Sequence, residues 1–195
     1  VWLRAQDPHL ARGGVAHDGE VATRLGLPGI PVTAETVALA TIFALVRQAG
    51  SRVHIARLSS AEGVALVRAA KAEGLAVTCD VAAHHLHLSD VDLGWFDTQC
   101  RLEPPLRSAR DRAALRAGLA DGTIDAVCSD HAPVDDDAKL VPFGEAEPGA
   151  TGLDSEVNKD AIGWNDCTNE AIELGTSGVY YLDLTATEMN ADAVA

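Results

Sequence analysis

Positive charge is scarce in this chain. Its 195 residues carry 15 Lys and Arg against 29 Asp and Glu, a formal net charge of -14. Nucleic acids and anionic membranes need a basic surface, so this balance argues against both as partners. The four cysteines, Cys79, Cys100, Cys128 and Cys167, form no CxxC pair. Cys79 and Cys128 lie in apolar, strand-like runs and read as buried, reduced thiols of a cytoplasmic protein. No secretory leader is visible, and no apolar run reads as long enough to cross a bilayer. The longest, Val37–Val46, reads as a buried helix. Asparagine is missing from residues 1–154 but occurs four times in residues 155–195.

What is present is an alternation of strands and helices. Residues 1–6 read as a strand with no initiator Met or polar leader before them, which suggests a fragment that begins inside a fold. A Gly13-Gly14 loop and a polar stretch lead to the turn-rich Leu27-Pro28-Gly29-Ile30-Pro31. Thr33 is the expected cap of a helix that carries Val37, Ala40, Thr41, Ala44 and Leu45 at helical spacing and ends at Gly50. Arg52–Leu58 reads as a strand, Ser59-Ser60-Ala61-Glu62 as a helix start running to Gly74, and Val77–Val81 as another strand. An irregular stretch follows, from His84-His85-Leu86-His87-Leu88 to Pro104-Pro105. Ser108 then caps a helix with Asp111 three residues on, and Ile124–Cys128 is the last clear strand. This order implies parallel strands with right-handed crossovers, their apolar runs buried on both faces. Periodicity alone fits an open doubly wound sheet and half of a barrel equally well.

After Asp154 the composition changes. All twelve Arg and all seven His precede residue 155, and residues 154–195 carry nine acids and one base. Two regions are therefore expected: residues 1–154 as a folded unit and residues 155–195 as a divergent acidic tail of no assigned role, in which Val179-Tyr180-Tyr181-Leu182 could form a strand.

One segment carries most of the chemical signal. Asp121-Gly122-Thr123-Ile124-Asp125-Ala126-Val127-Cys128-Ser129-Asp130-His131-Ala132-Pro133 ends an apolar strand in an acid followed by His-Ala-Pro. Together with Lys139, Arg101-Leu102-Glu103-Pro104-Pro105-Leu106-Arg107, Thr78, His84-His85-Leu86 and Gly26–Pro31, in this order, it resembles the dihydroorotase family of the amidohydrolase superfamily. The resemblance runs from about residue 1 to Asp154. It implies an α/β fold that is the C-terminal part of a (β/α)8 TIM-type barrel, about four βα units, since a whole barrel takes about 250 residues. Half a barrel would leave sheet edges and an apolar face uncovered.

Members of that family hydrolyse the cyclic amide of dihydroorotate reversibly, with zinc supplying hydroxide near neutral pH. Chemistry in such barrels sits at the C-terminal ends of the strands. Asp130 matches the family's metal-binding, proton-moving Asp and is read as vestigial. Arg4 of Arg4-Ala5-Gln6-Asp7 stands where the resemblance implies a His ligand, and so does Arg57 before Leu58-Ser59-Ser60. A guanidinium offers no lone pair and stays charged, so it cannot ligate zinc. Glu103 replaces an Asn that contacts substrate, and an added carboxylate should repel an anionic one. Val134 replaces a His, and Val134, Pro148 and Gly149 are read with Glu103 as relics of substrate positions.

The other histidines carry plainer readings. His54 should be packed or hydrogen-bonded, and His131 should orient Asp130. His84, His85 and His87 should be no ligand set, and His9 and His17 should be exposed. Asp135-Asp136-Asp137 reads as a solvated loop rather than a cation site.

The resemblance therefore points to a non-catalytic dihydroorotase-like chain with no cofactor, structural rather than hydrolytic. Its implied partner is the catalytic chain of aspartate carbamoyltransferase in an oligomeric complex. Two alternatives stay open: an active zinc-dependent dihydroorotase or cyclic amidohydrolase with a rearranged metal site, and a fragment without function of its own. From Arg4, Arg57 and Asp130 together, one or both guanidinium groups are expected to pair with Asp130 in place of the metal's charge.

Overall fold

The computed structural model describes residues 1–132 and 134–149, together with two short backbone strands, Ile172–Glu173 (β7) and Tyr180–Tyr181 (β8), that pair antiparallel. The remainder of the acidic tail lies outside the described residues. Within the expected unit the elements are β1 (Trp2–Arg4), β2 (Ala16–His17), α1 (Glu20–Leu25), β3 (Gly29–Ile30), α2 (Val32–Ala49), β4 (Val53–Ala56), α3 (Ala61–Ala72), β5 (Val77–Ala82), α4 (Ala83–His87), α5 (Ala109–Ala120) and β6 (Ala126–Cys128).

Four of the strands form one parallel sheet in the order β1-β4-β5-β6. The order follows the chain without reversal, and α2 packs on α3 and α3 on α5 along one face. A doubly wound sheet would reverse its strand order at a switch point. Winding in one direction with helices on one side is the pattern of a (β/α) barrel segment, so the ambiguity left by periodicity is resolved.

The helix-side residues of the sheet, Val53, Ile55, Val77, Cys79 and Val81, are buried with Leu39, Phe43, Val46, Val64, Val67 and Leu115. The opposite face differs from the expectation of strands apolar on both sides. It carries Trp2, His54, Thr78 and Asp80, of which Trp2 and Thr78 are exposed. Trp2 and His54 stack there with ring centroids 4.5 Å apart. The strands are apolar toward the helices and polar toward the barrel side because the two faces meet different surroundings.

Several local elements differ from the expected pattern. The polar stretch before Leu27 holds a helix, α1, closed by Gly26 in the left-handed region, and a two-residue parallel pair, β2 with β3. Helix α2 starts at Val32 with Pro31 in the cap position, so Thr33 lies inside the first turn and caps nothing. At 18 residues α2 is long and apolar enough to cross a bilayer, against the expectation that no run is. It nevertheless buries Glu35, Leu39, Phe43 and Val46 against the domain. The stretch after β5 is not irregular throughout: α4 holds all three histidines, and two 3-10 turns follow at Asp90–Leu93 and Thr98–Cys100. That stretch is pinned by a second apolar cluster, which includes Val15, Ala22, Leu93, Leu102, Leu106 and Phe143.

The expected caps of α3 and α5 are present. Ser60 accepts from the Gly63 amide at 2.9 Å. Ser108 and Asp111 form a reciprocal capping box, with Asp111 Oδ1 also accepting from the Ala61 amide at 2.9 Å. Such caps are each worth about 1 kcal/mol.

Candidate functional site

The C-terminal ends of β1, β4, β5 and β6 lie side by side and present Arg4, Arg57, His84 and Asp130. Arg57 Nη1 donates to Asp130 Oδ1 at 2.7 Å, as anticipated for at least one of the two arginines. The side chains are 29% and 18% exposed, a half-buried pair. Both residues have a left-handed backbone, with φ of 58° for Arg57 and 48° for Asp130. Non-glycine residues adopt this region at a cost of order 1–3 kcal/mol unless the surroundings hold them there.

What holds Arg57 is Asp80, a residue sequence reasoning passed over. Its carboxylate is buried in β5. Oδ1 accepts from the Arg57 amide at 2.7 Å and the Cys128 thiol at 3.3 Å, while Oδ2 lies 2.8 Å from His54 Nε2. His54 Nδ1 in turn lies 2.8 Å from Thr78 Oγ1. One acid thus ties the ends of β4 and β6 to the middle of β5. The signal was available: an Asp in a mainly apolar strand, two residues from Thr78 and therefore on the same face. Burial, with Asp80 adding to it, pushes the Cys128 thiol well up.

Burial also raises the Asp130 carboxyl above the ordinary Asp value, although Arg57, and more weakly Arg4, pull it down. The imidazole beside it is His84, whose Nε2 is 4.0 Å from Asp130 Oδ2. His131, expected to orient Asp130, is exposed instead, with its backbone amide 3.4 Å from Ser129 Oγ. At the turn after β6 the chain carries His131 outward, and α4 brings His84 in from the neighbouring strand. Burial holds His84 down to about 2 and His85 down to about 4. His85 Nε2 lies 3.1 Å from the Pro105 carbonyl, whereas both ring nitrogens of His84 and Nδ1 of His85 are buried without a hydrogen-bond partner among the described residues.

Arg4 goes elsewhere. Its Nη2 donates to Glu103 Oε1 at 2.8 Å, and Gln6 Nε2 donates to the same oxygen at 3.0 Å. The Glu103 carboxylate, expected to repel an anionic substrate, is thus paired with a guanidinium. These three residues line an open cavity of about 360 Å³ with Pro8, Ala11 and Arg12.

The remaining relic positions belong to a separate cluster. A Cβ on Gly149 would come within 2.7 Å of Val134 Cγ2 and 2.8 Å of the Ala132 carbonyl, so only glycine fits there. Gly149 also bonds the Arg101 carbonyl through its amide at 3.0 Å, and Pro148 before it is exposed. The buried Lys139 staples this segment: its ammonium donates to the carbonyls of Thr98, Glu147 and Gly149 at 3.1, 2.7 and 2.7 Å. Nearby, Asp135 Oδ1 accepts from the Asp137 amide at 3.0 Å and caps a 3-10 turn, Asp136–Lys139. The acidic triplet thus starts a helical turn rather than a plain loop.

His17, expected to be exposed, is half-buried, with Nδ1 3.2 Å from Arg107 Nη1, and burial lowers its basicity. Arg107 itself is buried and donates to the Ile30 carbonyl at 2.6 Å and to Ser59 Oγ at 3.2 Å.

Zinc does not fit the donors gathered here. Asp130 spends one oxygen on Arg57, Arg4 and Arg57 have no lone pair, and His84 is the single imidazole at the strand ends beside it. Among the described residues no group of three or more His, Cys, Asp and Glu could hold a metal ion.

A Dihydro-orotase-like family model matches residues 2–63. A protein named dihydroorotase from Pelotomaculum thermopropionicum is 49% identical over 157 residues, which cover 80% of this chain and 37% of that protein. A dihydroorotase-like protein from Pseudomonas aeruginosa is 49% identical over 154 residues, 79% of this chain and 36% of that protein. The chain thus spans little more than a third of the length of these relatives. Among solved structures, L-hydantoinase (dihydropyrimidinase) from Arthrobacter aurescens superposes with a TM-score of 0.66 at 26% identity, covering 79% of this chain and 36% of that one. Over the four fifths that align, the chain is similar to proteins named dihydroorotase and dihydroorotase-like.

Proposed function

We propose that this chain is part of a dihydroorotase-like protein of pyrimidine biosynthesis that has lost hydrolysis and serves a structural role. The observation that carries the reading is the Arg57–Asp130 ion pair, 2.7 Å long, at the ends of two barrel strands. A cationic side chain there neutralises the carboxylate that would hold a metal, and it repels a cation. With the hydroxide-generating metal gone, the main catalytic contribution goes with it. The partner, by family resemblance, is the catalytic chain of aspartate carbamoyltransferase, met in the cytoplasm as a larger assembly.

Elemental analysis after dialysis against a weak chelator tests the reading. Zinc should be absent at stoichiometric level and dihydroorotate turnover undetectable. Size-exclusion chromatography of the co-expressed pair should show joint elution, and separate elution at micromolar concentration would remove the partner. The competing reading is an active zinc-dependent dihydroorotase whose other residues supply the ligands. The names of the similar proteins favour it, since the Pelotomaculum relative at 49% identity is called dihydroorotase. Retained zinc with turnover that Asp130→Ala abolishes would establish it.

A further inference from the structure

The cavity at the end of β1 has opposite charges with unspent bonding capacity. Glu103 accepts from both Arg4 and Gln6 on Oε1, which leaves Oε2 without a partner among the described residues. Gln6 keeps its carbonyl oxygen as an acceptor. Arg12, on the same lining, has no ion-pair partner among the described residues, and Arg4 uses one guanidinium nitrogen on Glu103. The cavity therefore offers forked cationic donors and anionic or carbonyl acceptors, in about 360 Å³ open to solvent.

Charge balance selects among ligands. A simple anion meets a cationic lining partly cancelled by Glu103, and a simple amine meets a carboxylate already matched by Arg4. Only a molecule with both charges can engage Arg12 and Arg4 through one end and Glu103 Oε2 with the Gln6 carbonyl through the other. A guanidinium fork suits a planar carboxylate, and an ammonium suits a half-buried carboxylate oxygen. We propose that this cavity binds a small α-amino acid as its zwitterion, carboxylate toward Arg12 and Arg4, ammonium toward Glu103. The inference rests on the reading that arginines have replaced the metal at these strand ends, and it gives the vacated site a ligand-binding role.

Isothermal titration of the full chain, once its cooperative unfolding is shown, is the test, with glycine, L-alanine and L-aspartate as probes. Propionate and ethylamine carry one charge each and serve as controls. At least one amino acid should bind saturably, with each single-charge control weaker by roughly tenfold or more. Arg12→Ala, on an exposed loop, and the near-isosteric Glu103→Gln should each weaken that binding by roughly tenfold or more. Saturable heats absent for all three amino acids up to about 10 mM, or equal binding of propionate, would overturn the proposal. Zinc retained after dialysis would instead sink the metal-free reading, so the two failures can be told apart.

Discussion

The turn Arg57-Leu58-Ser59-Ser60 faces two regions built on different principles. Toward the helix layer, Ser59 and Ser60 give four donors to the buried carboxylate of Glu35 from α2, two amides at 2.9 and 3.1 Å and two hydroxyls at 2.6 and 2.5 Å. Toward the strand ends, Arg57 meets Asp130 through one half-exposed contact between two left-handed residues. The first arrangement is fully satisfied and fixes how α2 sits on the β4–α3 corner. The second is strained, partly wet and bordered by His84, whose ring nitrogens have no hydrogen-bond partner among the described residues. Barrel folds separate these duties: packing and caps hold the frame, while the strand ends are free to change chemistry. Here the frame is intact and the strand ends carry arginines.

The sharpest way to break that contrast is from the frame. Glu35→Ala would strip four donors of their acceptor in a buried place, and a loss of about 3–5 kcal/mol is expected by urea denaturation. A loss below that of Asp130→Asn would reverse the assignment of frame and site.

Acid should come next. His84 and His85 are held neutral by burial, at about 2 and about 4, below the unfolded value of 6.5. The unfolded chain then binds protons that the folded chain does not, so stability falls as pH drops below about 6.5, with each imidazole adding a slope of up to about 1.4 kcal/mol per pH unit. His85 stops contributing further loss below about 4, where the folded form also protonates. Urea midpoints between pH 7 and 5 give the slope. His84→Leu should flatten it by about half, and an unchanged slope would place the acid response elsewhere.

Asp130→Asn should cost less, about 1–2 kcal/mol, because the pair is partly solvated and left-handed strain is shared by both residues. The double variant Arg57→Leu with Asp130→Leu should recover part of that loss, since a lone half-buried charge is worse than none. Additive losses in the cycle would mean that the two side chains do not interact in solution. The smallest effect is expected for Arg4→Ala, about 0.5 kcal/mol, because its pair with Glu103 is a third exposed on each side.

Much of the frame was legible. Ser60 and Ser108 announce helix starts through their cap chemistry, and the runs Arg52–Leu58 and Val77–Val81 announce the strands found at Val53–Ala56 and Val77–Ala82. Thr33 misled because Pro31, with its fixed φ, supplies an extended residue just before Val32 and lets the helix begin earlier. Helix α1 and the β2–β3 pair were missed because six-residue and two-residue elements carry too little periodicity to stand out.

At the site the division runs through single residues. Arg4 and Arg57, at positions where the family resemblance implies imidazoles, put two cations near the half-buried carboxylate of Asp130. Which arginine answers is a matter of tertiary structure. Arg57 reaches Asp130 because Asp80, from the strand between them, holds its amide in a left-handed turn; Arg4 at the outer strand finds Glu103 first. Likewise nothing local in His84 or His131 says which will face Asp130, because the direction of each side chain is set by how α4 and the turn after β6 leave the sheet. Sequence fixes the functional groups and their spacing along the chain. Their pairing depends on strand neighbours and backbone handedness, which only the assembled sheet decides.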